Sequence, residues 1–458
     1  MDTVENPQVE PPKPKYSRKT KTLLTGFAAL ILVIIMLMAG GVYFAFTTIR
    51  SSALATSFNL PIFEAEPVSN QIAFVGPDTN MWLVAPDGSN ARRLTTDARG
   101  YRFPTWSPDG RQLAFIGRND SNQSALFISP TNNGEPSMVF SNPTAAPFYL
   151  YWAPNSQSIT FLAQEDAGMS MRQIDTAMPE NNRVIAEGAP FYWAWSPNSE
   201  KMLMHVGGAR EISENAHLSI MENQSGSERV ELNLAPGQFQ APAWSSNGEF
   251  FVYIAQNEET GDTIYKTNAD TLEQQIVTQP DRFAFLTLSP QNDKLAFLQL
   301  EPGIKAPFGK AWLIDVTGEN KKLLMESPVA SMYWSPDGKK LALLSLGQSN
   351  DGESAKAGAL AAPLPQGLTL RWWVYDVETD TLEPVVSFTP TNAFLQTVPY
   401  FDQYYLSLTF WSPDSRYLVV TKAENEKMGQ GSIWVVDTSG KDDPVKVGDG
   451  SLAVWSWQ

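Results

Sequence analysis

The chain has 458 residues, enough for a large core, and 33 Lys and Arg against 49 Asp and Glu give a formal net charge of −16. Cys is absent, which excludes disulfides and thiolate metal sites. Only five basic and three acidic side chains precede residue 50, leaving 28 basic and 46 acidic in the remainder, a balance that repels phosphate backbones and argues against nucleic acid as a partner.

Residues 1–22 are polar and Pro-rich, a composition that cannot bury a core and reads as a disordered segment. Leu23 to Phe46 then runs without a charge, long enough for one transmembrane helix. Lys13, Lys15, Arg18, Lys19 and Lys21 precede it and only Arg50 soon follows. That asymmetry predicts a plasma (inner) membrane protein with a cytoplasmic N-terminus and the rest of the chain extracytoplasmic. A cleaved signal ending at Ala53-Leu54-Ala55 is the alternative, but the apolar run exceeds a signal core. Residues 47–69 form a linker.

From residue 70 the sequence repeats itself. Trp106-Ser107-Pro108-Asp109-Gly110 returns at Trp334, and in altered form from Trp152, Trp195, Trp244, Leu288, Trp411 and Trp455. Steps of roughly 45 residues are those of propeller blades. Pro presets φ, Asp bonds to nearby backbone and Gly accepts left-handed angles, so each copy reads as a hairpin turn. The Trp suits the contact between neighbouring sheets.

Each unit carries four short β-type runs. After the turn comes Leu113 to Ile116, then Ala125 to Ser129 and Ser137 to Phe140. The second run occurs eight times, beginning with Ile72–Val75, but the first unit lacks a Trp strand, and Leu452-Ala453-Val454-Trp455 supplies a spare one. The fold class expected over residues 70–458 is therefore all-β, an eight-bladed β-propeller whose C-terminal strand closes the first blade. Seven blades with an unpaired tail is the alternative.

The WSPDG turn followed by an apolar strand such as Leu113-Ala114-Phe115 resembles the WD-type repeats of the TolB-like propellers, over about residues 70–458. The resemblance implies the fold and not a role. TolB-like proteins carry an α/β domain, a cleaved signal and six blades, none of which is matched here, so their part in envelope integrity does not transfer. The propeller halves of dipeptidyl-peptidase-like enzymes are similar too. Their hydrolase domain follows the propeller, whereas this sequence stops at the expected closing strand.

Two additions lengthen the unit from Trp334. Gly347 to Leu368 is small, polar and Pro/Gly-containing, and reads as a mobile loop. Ser387 to Leu406 carries Phe394, Tyr400, Phe401, Tyr404 and Tyr405. These five rings are the candidate binding residues, with capping of the gap between blades as the competing role. Both additions fall on connections of one parity, hence on one face. Aromatics before the anchors, among them Phe103, Tyr149, Tyr192, Phe285 and Tyr333, either pack blade to blade or form a rim for a sugar, peptide or apolar chain.

Catalytic motifs do not stand out. His205 reads as a packed core side chain and His217 as an exposed one, G-x-S-x-G is absent, and no metal spacing or glycine phosphate cradle occurs. No catalytic residue, cofactor or metal is expected. The reading is a membrane-tethered, non-catalytic binding or scaffold propeller for a protein, peptide or glycan. The alternative is a carbohydrate- or peptide-processing enzyme with an acidic site on the loop-rich face.

Overall fold

A computed structural model describes residues 69–458 apart from 133, 167, 189–190, 208–215, 238–239, 258–260, 282, 301–307, 348–367 and 425–426. The described part is built almost wholly of antiparallel strands. In the second sheet, Arg102–Trp106, Gln112–Arg118, Ser124–Pro130 and Ser137–Ser141 pair in chain order. Ala146–Trp152 and the three strands after it repeat that order, as do Phe191–Trp195 and the three after it. In the fifth sheet the inner edge is broken, with Ala235–Pro236 and Ala243–Trp244 both pairing Phe250–Asn257.

Two further four-strand groups are fused into one seven-stranded sheet. Its hinge is the 13-residue strand Lys322–Trp334. The first half of this strand pairs with Gly309–Asp315 and the second with Lys340–Leu346. In the last sheet Tyr417–Glu424, Lys427–Asp437 and Val445–Asp449 pair in order, and Trp411 bridges to Leu418 on the inner side.

The first sheet takes its inner strand from the other end of the chain. Ala453–Trp455 lies antiparallel to Ile72–Val75, with Ile72 opposite Trp455 and Phe74 opposite Ala453. The Gln71 N–H donates to Ser456 Oγ, and Trp455 Nε1 donates to Asn70 Oδ1 at 2.9 Å. Trp455 is fully buried.

The repeated turn explains this regularity. Ser107 Oγ accepts from the Gln112 N–H across the turn, and Ser196, Ser245, Ser289, Ser335 and Ser412 do the same in their copies. The fourth turn position has positive φ throughout: 70° at Gly110, 69° at Gly338, and also 60° at Ser156, 62° at Ser199, 63° at Asn292 and 60° at Ser415. Where Ser or Asn replaces Gly, its side chain accepts a hydrogen bond from the preceding turn. Asp109 N–H donates to Ser156, Asn155 N–H to Ser199, Ser246 N–H to Asn292 and Asp337 N–H to Ser415. The left-handed residue is strained without glycine, and a sheet-to-sheet bond offsets that strain.

The anchor Trp is more than a wedge. Trp152 Nε1 donates to Thr105 O at 3.1 Å, Trp411 to Tyr333 O at 3.0 Å, and Trp106 to Val454 O at 3.4 Å. Each acceptor stands one residue before the preceding anchor, so the indole stitches neighbouring inner strands.

Two expectations change. The plasma-membrane location with a single-pass N-terminal anchor is corrected: among the described residues no helix is long and apolar enough to cross a membrane. The run Leu23 to Phe46, like the linker and the segment 1–22, lies outside the described residues, as does most of the loop expected to be mobile. His217 is also buried rather than exposed, at 8%, because its strand lies between two others; His205 is buried as expected.

Candidate functional site

Between the strand Thr381–Phe388 and Trp411 the chain leaves the sheet and makes three short turns: Asn392–Leu395, the 3-10 turn Val398–Tyr400, and Phe401–Tyr404. Thr391 starts the first, its side chain accepting from the Phe394 N–H, and Pro399 fits the start of the second because it needs no amide proton there. The segment is a plug. Its side chains and backbone reach inner strands all around the ring, and only a position on the axis can do that.

The contacts follow the ring. Tyr404 packs on Phe103 at 6.0 Å and Tyr149 at 4.7 Å, and Thr105 Oγ1 donates to Ser407 O at 2.7 Å. Tyr149 donates from its hydroxyl to Gln403 O at 3.1 Å. Gln403 places its amide against the backbone of Trp193, Oε1 accepting from the N–H at 2.9 Å and Nε2 donating to the O at 3.1 Å. That side chain imitates the next strand of a sheet and satisfies an inner edge that would otherwise carry buried unpaired groups. The Ala241 N–H donates to Asp402 Oδ2 at 2.7 Å. Phe401 meets Phe285 at 5.8 Å and Tyr333 at 6.4 Å. Phe394 fills the space between Phe388, Phe410 and Trp372.

Of the five candidate rings, Phe394 at 2% and Phe401 at 0% exposure are core side chains and touch no solvent partner. Their rings pack against Phe285 and Tyr333 in the one case and Trp372, Phe388 and Phe410 in the other. Tyr400, Tyr404 and Tyr405 are partly exposed, and Tyr400 lies 6.2 Å from Tyr404. Burial raises the hydroxyl of each above the usual tyrosine range, so all three stay neutral donors.

Asp402 and Gln403 were not singled out by sequence. Their signal is two polar residues inside the aromatic run Tyr400 to Tyr405, where a polar side chain must find partners indoors. Asp402 is fully buried, and its Oδ1 has no hydrogen-bond partner among the described residues. Burial pushes its carboxyl up to about 7, with backbone N–H groups, Ala241 first, pulling it part of the way back. Burial raises the hydroxyls of Tyr149, Tyr192, Tyr333 and Tyr405, and the Asp402 charge adds to the rise. Beside this cluster His205 Nδ1 lies 3.1 Å from Gln240 O. Among the described residues no group of three or more His, Cys, Asp or Glu is placed to hold a metal ion.

No family model matches the chain. The uncharacterized peptidase YuxL of Bacillus subtilis (strain 168) is 25% identical over 187 residues, 40% of this chain, and the match spans about a quarter, 26%, of that protein. Among solved structures, the dihydro-heme d1 dehydrogenase NirN aligns with a TM-score of 0.53 at 12% identity, over 89% of this chain and 80% of its own. A eukaryotic initiation factor aligns at 0.50 and 11%, over 85% and 98%. TolB from Acinetobacter baumannii aligns at 0.40 and 15%, over 82% and 78%. At such identities the likeness is one of fold. The repeats, the sheet order and the two neighbours at TM-scores of 0.53 and 0.50 together make the described part of the chain a β-propeller.

Proposed function

We propose that this chain is a non-catalytic binding propeller of eight blades, closed by its C-terminal strand, that holds a protein, peptide or glycan on the face carrying the plug. The seven-stranded sheet counts as two blades in this reading, divided within Lys322–Trp334. One observation carries the binding role: partly exposed Tyr400 and Tyr405 stand on a plug whose neighbouring groups Phe401, Asp402, Gln403 and Tyr404 are taken up in holding it. Such rings are fixed before any ligand arrives, so association loses little side-chain entropy.

The test is an array of peptides and glycans probed with the wild type and with Tyr400→Ser/Tyr405→Ser. Retention on one ligand class should be lost in the double variant, with its melting temperature within a few degrees of wild type. Unchanged retention would sink the reading. A processing enzyme with an acidic site on this face is the second reading, with Asp402, raised by burial to about 7, as its acid once movement of the plug gives a substrate access to it. Asp402→Asn separates the two, since ligand retention survives it in a binding module and turnover does not in an enzyme.

A further inference from the structure

We propose that the mouth of the ring beside the plug carries a carboxylate subsite, built on Arg102 and Arg118, for an acidic side chain of a peptide partner. Both residues stand on the plug face, because Arg102 opens the inner strand of the second sheet and Arg118 ends the antiparallel strand beside it. The register sets Arg102 opposite Ile116, two residues before Arg118, so the two cations share one side of the sheet. A register shift between Arg102 and Thr105 brings Phe103 against Tyr404 at 6.0 Å, which sets Arg102 next to the plug.

The charges at this place do not cancel. Three cations, Arg99, Arg102 and Arg118, stand with two carboxylates, Asp97 and Asp120. Arg99 takes both: its Nε donates to Asp97 and its Nη1 to Asp120 at 2.8 Å. Arg118 has only the neutral Asn122, its Nη1 donating to the O at 3.1 Å and to Oδ1 at 3.2 Å. The Arg102 side chain makes no hydrogen bond or ion pair among the described residues. The surplus is therefore positive, in a chain whose net charge is −16.

An arginine in open water would need no partner, but Arg102 is not so placed. Its side chain is accessible to solvent, yet burial among surrounding atoms, and then Arg118, lower its guanidinium from the usual range, with Tyr404 acting the other way. A side chain both accessible and crowded stands on the wall of a concavity, and Arg118 lines an adjoining hollow of about 520 Å³. An arriving anion stabilises such a cation more than it would one in open water. The guanidinium fork matches a carboxylate through two parallel N–H donors. Tyr404 adds a third donor, since its hydroxyl has no hydrogen bond among the described residues and burial keeps it protonated.

The surroundings choose among anions. Phe103, Tyr149 and Tyr400 crowd the Tyr404 ring at 6.0, 4.7 and 6.2 Å, which leaves no flat face for the sugar of an acidic glycan. An acidic body also repels a multiply charged phosphate more than a single carboxylate. An acidic peptide is favoured, and the subsite rests on the binding reading above and names its partner chemistry.

The test titrates the full chain, labelled with ¹⁵N at arginine, and follows the Nε–H signal that Arg102→Gln removes. The probe is N-acetyl-Leu-Glu-Leu-amide, with the glutamine and lysine counterparts as neutral and cationic controls and digalacturonate and inorganic phosphate as other anions. The glutamate peptide should shift that signal saturably and bind at least about tenfold more tightly than the glutamine peptide, as hydrogen bonds to a charged group require. In calorimetry, Arg102→Gln and Arg118→Gln should each bring the glutamate peptide toward the level of the glutamine peptide. Equal binding of the two peptides, no shift of the Arg102 signal, or indifference to Arg102→Gln would each overturn the subsite. Tighter binding of digalacturonate or phosphate than of the glutamate peptide would overturn its assignment to a peptide. The plug tyrosines are judged apart, by retention in Tyr400→Ser/Tyr405→Ser, whereas the preference for glutamate over glutamine reads the arginines.

Discussion

The two faces of the ring solve the same problem in opposite ways. On the turn face, joints between neighbouring sheets are made locally and repeated: a Ser inside six of the turns, an indole from Trp106, Trp152, Trp334 and Trp411 to the preceding inner strand and, in four copies, a Ser or Asn accepting from the turn before. On the other face one unrepeated segment touches many inner strands at once through Gln403, Asp402, Phe401 and Tyr404. Distributed joints share the load, so removing one should cost little. A concentrated joint fails as a unit.

Breaking the ring itself should cost most. Deleting residues 452–458 removes the strand paired with Ile72–Val75 and the buried Trp455. Loss of one large buried aromatic alone is worth about 3–5 kcal/mol, against a typical total of about 5–15 kcal/mol. The truncated chain should aggregate or melt far below wild type in calorimetry, and a monomer with wild-type melting would refute ring closure. Next comes the plug: Phe401→Ala should cost about 3–5 kcal/mol by leaving a cavity. Gln403→Ala should cost about 1–3 kcal/mol by leaving the Trp193 backbone unpaired. A plug that contributed nothing to the ring would show neither loss in denaturant titrations.

Asp402 sharpens the comparison through pH. Its folded-state carboxyl lies near 7, above an ordinary aspartate near 3.9. The stability it contributes is therefore fully present below about pH 4 and is lost as pH rises through about 7. Asp402→Asn should flatten that dependence and match or exceed wild type at pH 8, by up to a few kcal/mol. Parallel melting curves for the two proteins from pH 5 to 8 would contradict it.

The smallest effects belong to the turn face. Ser199→Ala keeps a left-handed residue and loses the bond from Asn155, for about 1 kcal/mol. Ser199→Gly loses the same bond but relieves the backbone, so it should fall near zero. Equal losses in both variants would show that strain plays no part there.

This contrast also marks what the sequence discloses. The turns were legible because Pro, Asp and Gly act over four residues and recur, and the closing strand because a spare Trp run stood opposite a missing one. The excess of rings between Ser387 and Leu406 was equally visible, but not that Phe394 and Phe401 turn inward. Aromatic letters carry no direction, and the axis exists only once the ring has formed. Asp402 and Gln403 showed only as polar letters among rings, since their partners at Ala241 and Trp193 lie far off in sequence. The apolar stretch before residue 50 drew a membrane reading from length and charge alone, and no described helix supports it.

The pairing of Ile72–Val75 with Ala453–Trp455 has a consequence for how the molecule is made. Contacts inside each sheet join near neighbours and can form as the chain leaves the ribosome, whereas this one spans almost the whole sequence. Until it forms, the strand Ile72–Val75 waits with an open edge that any passing strand could occupy. The molecule is thus vulnerable for its entire synthesis time and secure only at the end. A circular permutant joined across Gln71 and Ser456 and opened in the turn at Ser121 would make that contact local, and should refold with less aggregation at the same final stability.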